Sequence, residues 1–516
     1  MADRLHAALA VLPERLGWHV ALSACALALG LAIALPLGIA AARQPRLKWI
    51  ALAAAGLVQT IPSLALLALF YPLLLLLSGL ATRVLGHGFP ALGFLPSLLA
   101  LTLYSMLPIL RNAAAGISGI DPAIVEAARG VGMTDRQRLW RVELPLAAPV
   151  IMAGARTAAV WTIGAATLST PVGQTSLGDY IFSGLQTEDW VAVLVGCAAS
   201  AGLALIVDGL LGLIEGGVAR RDRRRLWAGG LGLALGLVAA LTPLAVAALS
   251  QGRPAYVVGA KNFSEQYILA ELMADRLEAE GASVQRRVNL GSAVAYRALA
   301  AGELDAYVDY SGTLWANVLH RQDNPGRQAV LDGLRIELKA RDGVVLLGAL
   351  GFENAYALAM RRDRAEQLGV RTLADLAEKA PSLTMGGDLE FFSRPEWAAV
   401  ERAYGLRFKA KRQFQPTFMY RALASREADV ISAFSSDGRI AADDLVLLAD
   451  PKGALPPYDA VILVSPKRAG DRRLRAALGP LAGRIDVKAM QAANYAVDRD
   501  TGKRSAAEAA RSLGRR

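Results

Sequence analysis

EAARGVGMTDRQRLWRVELPLAAP (Glu126–Pro149) is a basic, helix-prone stretch set between two long apolar runs. Asp121-Pro122 just upstream can start a helix and Glu126-Ala127-Ala128 continue it. Gly130 and Gly132 allow a tight turn, and Leu144-Pro145 opens the next apolar run. A charged helical hairpin of this kind suits a membrane face, where it can transmit a push as a rigid body.

Its surroundings agree with that placement. The chain has 516 residues, 54% hydrophobic and 20% charged, a balance unusual for a soluble protein and natural for one partly embedded in a membrane. The net charge of +11 comes from basic residues clustered beside apolar runs, the pattern of membrane topology, so no nucleic-acid partner is expected. Cys25 and Cys197 both fall inside apolar runs and read as small buried hydrophobes rather than a disulfide or metal pair.

A bilayer-spanning helix needs roughly 20 apolar residues. Six segments qualify, approximately 16–42, 49–80, 94–110, 146–170, 190–214 and 226–249. The second contains Pro62 and Pro72 and is expected to be kinked or broken. Arg43, Arg46 and Lys48 mark the first connecting loop as cytoplasmic; Arg111, Arg129, Arg136, Arg138 and Arg141 mark the third, and Arg220 to Arg225 the fifth. The second loop offers only Arg83, and residues 173–189 carry no Lys or Arg, so both belong outside. This alternation puts the opening hairpin inside and everything beyond the sixth span outside. The sixth span, with RRDRRR before it and small residues after, also has the form of an internal signal peptide.

From Tyr256 onward no apolar run is long enough to span. YVVGA, SEQYILAELMADRLEAEG, SVQRRVNL, AVAYRALAAGE and LDAYVDY alternate strand, helix, strand, helix, strand, the order of an α/β fold. About 260 residues suffice for two such lobes.

The spacing Glu126-Ala127-Ala128, three residues, Gly132, nine residues, then apolar, any, Leu144-Pro145 resembles the signature of permease subunits of ABC importers, whose loop docks on a separate ATPase. VQTIPSLALLALFYPLL, LYSMLPILRNAAAGI, IDPAIVEAARGVGMT and RVELPLAAPVIMAGARTAAVWTIGAATLS extend the likeness to the permeases of the glycine betaine, carnitine and choline (osmoprotectant) importers. TPVGQTSLGDYIFSGL departs from it at Gln174-Thr175-Ser176. VGAKNFSEQYILAEL, NLGSAVAYRALAAGELDAYVDYSGT, GFENAYALAM, FSSDGRI and PPYDAV resemble the substrate-binding proteins of the same importers. The resemblance implies an all-α transmembrane permease of about six helices (residues 1–217), an additional membrane helix and linker (218–253), and a two-lobed, type II periplasmic-binding-protein-like α/β domain (254–516).

It also implies a ligand with a quaternary ammonium group held among aromatic rings. Such a group donates no strong hydrogen bond, and π-faces attract it while matching its apolar surface. By resemblance the cage positions are Tyr310, Tyr356 and Tyr458, with Phe434 where relatives often have Tyr, Phe414 or Tyr420 contributing, and Thr313 able to tune ligand choice. Lys261 stands where a neutral polar side chain is common, and its charge would favour a zwitterion over choline. Asn262, Ser264 and Gln266, at the start of the next helix, are further polar candidates.

No Gly-x-x-x-x-Gly-Lys-Ser/Thr loop is present, so ATP and Mg are expected on a partner ATPase, in two copies, with no cofactor in this chain. The four histidines show no metal spacing and no Ser-His-Asp arrangement is visible, so no enzyme activity is expected. One membrane half per chain implies a homodimer. A ligand-gated channel would need a selectivity loop and a binding domain split by membrane segments, and a chemoreceptor a cytoplasmic signalling domain; the sequence offers none of these. Glycine betaine, carnitine, choline and a thio or histidine betaine such as ergothioneine remain open as ligands.

Overall fold

A computed structural model of the chain describes residues 2–187, 189–251, 255–321, 323–414, 416–499 and 501–514. Two compact units divide it, one built mainly from residues 1–253 and the other mainly from 254–516. The boundary expected at 253/254 lies outside the described residues.

The first unit is helical: α1 (Ala2–Arg43), α2 (Pro45–Thr60), α3 (Ser63–Leu85), α4 (Phe94–Ser118), α5 (Pro122–Gly130), α6 (Asp135–Arg138), α7 (Leu144–Ala166), α8 (Gly178–Gln186), α9 (Trp190–Arg220) and α10 (Arg223–Gln251). Among the described residues, six stretches are long and apolar enough to cross a membrane: Arg4–Arg43, Ser63–Leu85, Phe94–Ser118, Asp135–Val172, Trp190–Arg220 and Arg223–Val246. The expected second span is broken. Ile61 takes extended backbone angles before Pro62, whose ring disfavours helix in the residue ahead of it, whereas Pro72 stays inside α3. Cys25 and Cys197 are free, but both are exposed rather than buried. In a membrane an apolar run faces lipid as well as core, so apolar context does not imply burial.

Arg156, inside a membrane-spanning helix, is paired, as a low-dielectric setting demands. Arg156 on α7 gives its Nη2 to Asp208 of α9 at 2.7 Å and its Nη1 to Glu215 at 3.3 Å. His19, fully buried on α1, meets the Ile163 carbonyl at 3.0 Å through Nε2 and accepts from the Leu177 N–H at 3.4 Å through Nδ1. Those partners pin the turn after α7, which includes the departing residues Gln174 to Ser176.

The second unit carries two five-stranded sheets. The first has the order β2-β1-β3-β10-β4, from β1 (Tyr256–Lys261), β2 (Val284–Leu290), β3 (Ala306–Tyr310), β4 (Val345–Glu353) and β10 (Asp459–Val464); the second has the order β7-β6-β8-β5-β9, from β5 (Tyr356–Arg361), β6 (Thr384–Gly387), β7 (Ala410–Gln413), β8 (Val430–Phe434) and β9 (Leu445–Leu447). In each sheet one strand contributed from across the molecule, β10 or β5, runs antiparallel to its neighbours. This is the topology expected of a type II two-lobed binding domain. Every residue of β3 and β10 is buried, as befits central strands covered on both faces.

The chain crosses between the lobes twice, directly from β4 to β5 and again before β10. Backbone bonds tie the crossings together: Asn354 N–H donates to the Tyr458 carbonyl at 2.9 Å, and Ser435 N–H to the Ala355 carbonyl at 2.9 Å. The hinge is therefore a small hydrogen-bonded knot, and the strand ends that meet there carry the side chains of the cleft.

Candidate functional site

A cavity of about 300 Å³ opens between the lobes of the second unit, lined by aromatic rings and several ionisable groups. The rings come from strand ends, where the backbone leaves the sheet and side chains can turn into the cleft. Tyr356 opens β5, Phe434 closes β8, Tyr458 precedes β10 and Tyr310 closes β3. Tyr356 is the centre of one cluster. Its ring centroid lies 4.8 Å from Phe434, 5.3 Å from Phe391 and 5.7 Å, edge-on, from Tyr458. Tyr310 stands apart on the first lobe, stacked on Phe263 at 6.1 Å. Gly312 explains part of this order: a β-carbon there would lie 2.7 Å from the Tyr458 ring, so only glycine lets that ring lie flat against the first lobe.

Thr313, Asn262, Lys261 and Tyr420 line the same cavity. Phe414 does not. It packs into the second lobe, where its ring approaches within 3.1 Å of the β-carbon position of Gly386 and its N–H bonds the Gly387 carbonyl, so the β7 edge turns it inward rather than toward the cleft. Lys261 is neither solvent-facing nor a free cation. Only 2% exposed, it forms an ion pair with buried Asp309, and its Nζ lies 5.5 Å from the Tyr310 ring centre. The lysine charge is thus neutralised on the spot, which removes it as the attractor expected for a ligand carboxylate.

Several residues of the site carried no signal in the sequence. Arg394, between two short helices of the second lobe, holds its guanidinium carbon 5.1 Å over Tyr356 and donates to the Tyr458 hydroxyl and to Glu396, each at 3.1 Å. A cation thus already rests on the central ring. Glu265, the second residue of α11 (Ser264–Ala279), is buried and receives the Tyr310 hydroxyl at 2.6 Å, Asn354 at 3.1 Å and Asn494 at 3.0 Å. Burial raises the pKa of its carboxyl, and the hydrogen bonds donated to it oppose the rise. Asp437, bonded to the Tyr420 hydroxyl at 2.6 Å, is likewise pushed up by burial. Asp498 is pushed up to about 7, by burial first and by the neighbouring Asp437 second. Among the described residues no group of three or more His, Cys, Asp or Glu is arranged to hold a metal ion.

The opening hairpin has its own geometry. The Asp121 carboxylate caps α5 through Ala123 N–H at 2.9 Å, Gly132 turns the chain at φ +79°, and Thr134 with Gln137 forms a capping box on α6. Glu126, Ala127, Gly132 and Pro145 are exposed, Ala128 is buried and Leu144 half-buried. Glu143, which the sequence reading passed over, is the fastener. Its buried carboxylate takes Arg138 at 2.7 Å and Arg43 at 2.8 Å, so the hairpin, the end of α1 and the start of α7 share one carboxylate. Ile124, Val131 and Trp140 remain exposed around it, an apolar surface on an otherwise charged loop.

A two-lobed cleft and a helical membrane unit with a capped, Glu143-fastened hairpin, joined in one chain, define a class: a binding-protein-dependent importer whose receptor and permease are fused. Residues 254–513 match the family described as the substrate-binding domain of ABC-type glycine betaine transport systems, and residues 34–220 match the inner membrane component of binding-protein-dependent transport systems. The chain belongs to these families, and its permease half implies an ATPase partner. It is 28% identical over 479 residues, 90% of this chain and 83% of the relative, to the ergothioneine transport permease/ergothioneine binding protein EgtU of Helicobacter pylori (strain G27). It is 39% identical over 197 residues, 38% of this chain and 83% of the relative, to the choline transport system permease protein OpuBB of Bacillus subtilis (strain 168). A solved glycine betaine/carnitine/choline ABC transporter structure is similar at 26% identity and a TM-score of 0.46, covering 50% of this chain and 97% of that one.

Proposed function

We propose that this chain captures a betaine-type, quaternary-ammonium osmoprotectant outside the cytoplasmic membrane and passes it inward as a homodimer, driven by two ATPase subunits that hold ATP and Mg. The observation that carries the reading is the ring cluster of Tyr356, Phe434 and Tyr458 at the hinge, with the Arg394 cation over its central ring. A ring face that holds a guanidinium can equally hold a trimethylammonium, which needs no hydrogen-bond acceptor. Tyr310 faces the same cavity from the other lobe, so closing the lobes would complete the enclosure. Closure would then be read by the permease half, and ATP binding by the partners would act through Glu126 to Pro145, steered by Glu143. The basic loops favour the hairpin inside and the binding unit outside.

A second reading, an ergothioneine or other histidine-derived betaine, draws on the relative from Helicobacter pylori, which the chain matches along both halves. Titration calorimetry of the full chain in nanodiscs against glycine betaine, choline, carnitine and ergothioneine tests both. Binding of at least one, weakened tenfold or more by Tyr356→Ala, is expected. No heat with any of the four overturns the proposal.

A further inference from the structure

Four charged side chains of the helical unit lie within its membrane helices around one groove. Arg156 on α7 holds both Asp208 and Glu215 of α9, at 2.7 Å and 3.3 Å. Gly212 makes room for it, since a β-carbon there would lie 3.3 Å from the guanidinium. One guanidinium between two carboxylates leaves one negative charge in excess. The three side chains are 38%, 30% and 29% exposed, so the group opens onto the surface of the unit rather than being sealed in its core. Arg111 is the fourth. Counted with the third loop by its charge, it lies inside α4, is exposed, and has no ion-pair or hydrogen-bond partner among the described residues.

α7 runs between the helices that carry these charges. A β-carbon at Gly154 would lie 2.5 Å from Asn112 of α4, and one at Gly116 of α4 would lie 3.2 Å from Ala147 and Val150, so α4 packs along one side of α7. Arg156 ties α9 to another side. Val150, Thr157 and Trp161 stay exposed between the two contacts and form the floor of the groove, with Arg111 on one wall and the excess carboxylate on the other. Packed helices lie about 8–10 Å apart, which puts the axes of α4 and α9 up to roughly 16–20 Å apart, too far for the walls to pair directly. Arg111 stands seven residues before the end of α4 at Ser118, and Glu215 five before the end of α9 at Arg220. At 1.5 Å per residue they are about 10 Å and 8 Å from helix ends that the loop charges favour inside. Opposite charges therefore stand at one level on opposite walls.

A lone guanidinium and an unbalanced carboxylate at membrane depth belong against water or protein rather than lipid tails. What fits between them carries both signs. A quaternary ammonium has no N–H to donate and is drawn to a carboxylate by charge alone, while a ligand carboxylate can take the guanidinium fork in two parallel hydrogen bonds. We propose that this groove is the chain's share of the translocation pathway and holds a zwitterion in transit, its quaternary ammonium toward Glu215 and Asp208 and its carboxylate toward Arg111. The site is distinct from the cleft of the binding unit. It rests on the reading above that a betaine passes between two copies of this chain.

The first test needs no ligand. Thr157→Cys, in a chain whose Cys25 and Cys197 are replaced by Ala and which still takes up glycine betaine, is placed in nanodiscs with a charged thiosulfonate reagent. Reaction of the new thiol is expected from a water-lined groove; no reaction marks a face covered by lipid or protein and overturns the proposal. The second test separates passage from capture. Glu215→Gln keeps the Arg156–Asp208 pair and removes the excess charge, and in proteoliposomes with the ATPase it is expected to lower the maximal rate of glycine betaine uptake about tenfold, with affinity by calorimetry within twofold. Arg111→Gln should act likewise on glycine betaine and carnitine but spare choline, which has no carboxylate, and Arg111→Lys should recover most of the rate. Equal slowing of choline and glycine betaine by Arg111→Gln overturns the site, because it would mark a general structural loss. Normal capture with either Gln variant transporting within twofold of the unmodified chain overturns the site alone, whereas failure of every betaine to bind overturns the proposed function with it.

Discussion

Glu143 makes the sharpest demand on the permease half. Its side chain and that of Arg138 are each 6% exposed, whereas Arg43 is 40% exposed. Glu143→Ala therefore leaves one buried guanidinium with only the exposed Asp135, 2.9 Å away, as partner. Removing one member of a buried pair costs about 3–5 kcal/mol, and the more exposed Arg43 adds about 0–1 kcal/mol. At 1.4 kcal/mol per tenfold, a loss of about 3 kcal/mol moves the balance between the fastened and unfastened hairpin more than a hundredfold. Proteoliposomes holding the chain with its ATPase, loaded with ATP and given labelled betaine, should show uptake reduced about a hundredfold, while ligand affinity stays within twofold. Replacing the pair together, Arg138→Met with Glu143→Leu, should recover much of the loss, since an apolar pair leaves no buried charge behind. Uptake by Glu143→Ala within twofold of the unmodified chain would refute the reasoning, and so would a double variant no better than the single.

Other expectations follow from local geometry. Gly132 holds φ +79° in open space, so Gly132→Ala pays only backbone strain, about 1–2 kcal/mol, and should depress uptake without touching ligand affinity; Gly130→Ala, with an ordinary φ and nothing within 4 Å, should leave uptake unchanged. Gly312→Ala should push the Tyr458 ring off the first lobe and weaken quaternary-ammonium binding roughly tenfold by calorimetry, in line with losing one cation–π partner. Asp498 binds its proton up to about pH 7 when folded and up to about pH 4 when unfolded, so between those values the folded state holds more protons and stability falls as pH rises. Its share is on the order of 4 kcal/mol across that window, and Asp498→Asn should flatten the fall in the denaturant midpoint of the binding unit between pH 5 and pH 8.

Hydrophobic run length and loop charge carried the membrane half, because a bilayer imposes nearly the same requirement on every span. The break in the second span was legible too, because Pro62 disfavours helix at Ile61, whereas Pro72 was accommodated inside α3. The strand and helix alternation of the binding unit was equally plain. The site was less so. Tyr310, Tyr356, Phe434 and Tyr458 were marked by resemblance and do line the cleft from strand ends, but Phe414, marked in the same way, turns inward on Gly386. Lys261 was misjudged because its partner, Asp309, lies 48 residues away. Glu265, Asn354 and Asn494 escaped for the same reason: they meet across separations of 89 and 229 residues, and a polar side chain declares its role only when its hydrogen-bond partners are known.

Four residues separate the end of α10 at Gln251 from the start of β1 at Tyr256. A receptor that floats free has to be synthesised in excess and to find its permease by diffusion, so flux depends on how crowded its compartment is. Here the two travel as one polypeptide, and their encounter is first order, set by tether rather than by abundance. Gene dosage scales receptor and pathway together, the ratio between them cannot drift, and a defective receptor stays attached to the permease it would serve. Capture and passage are inherited, expressed and lost as a unit.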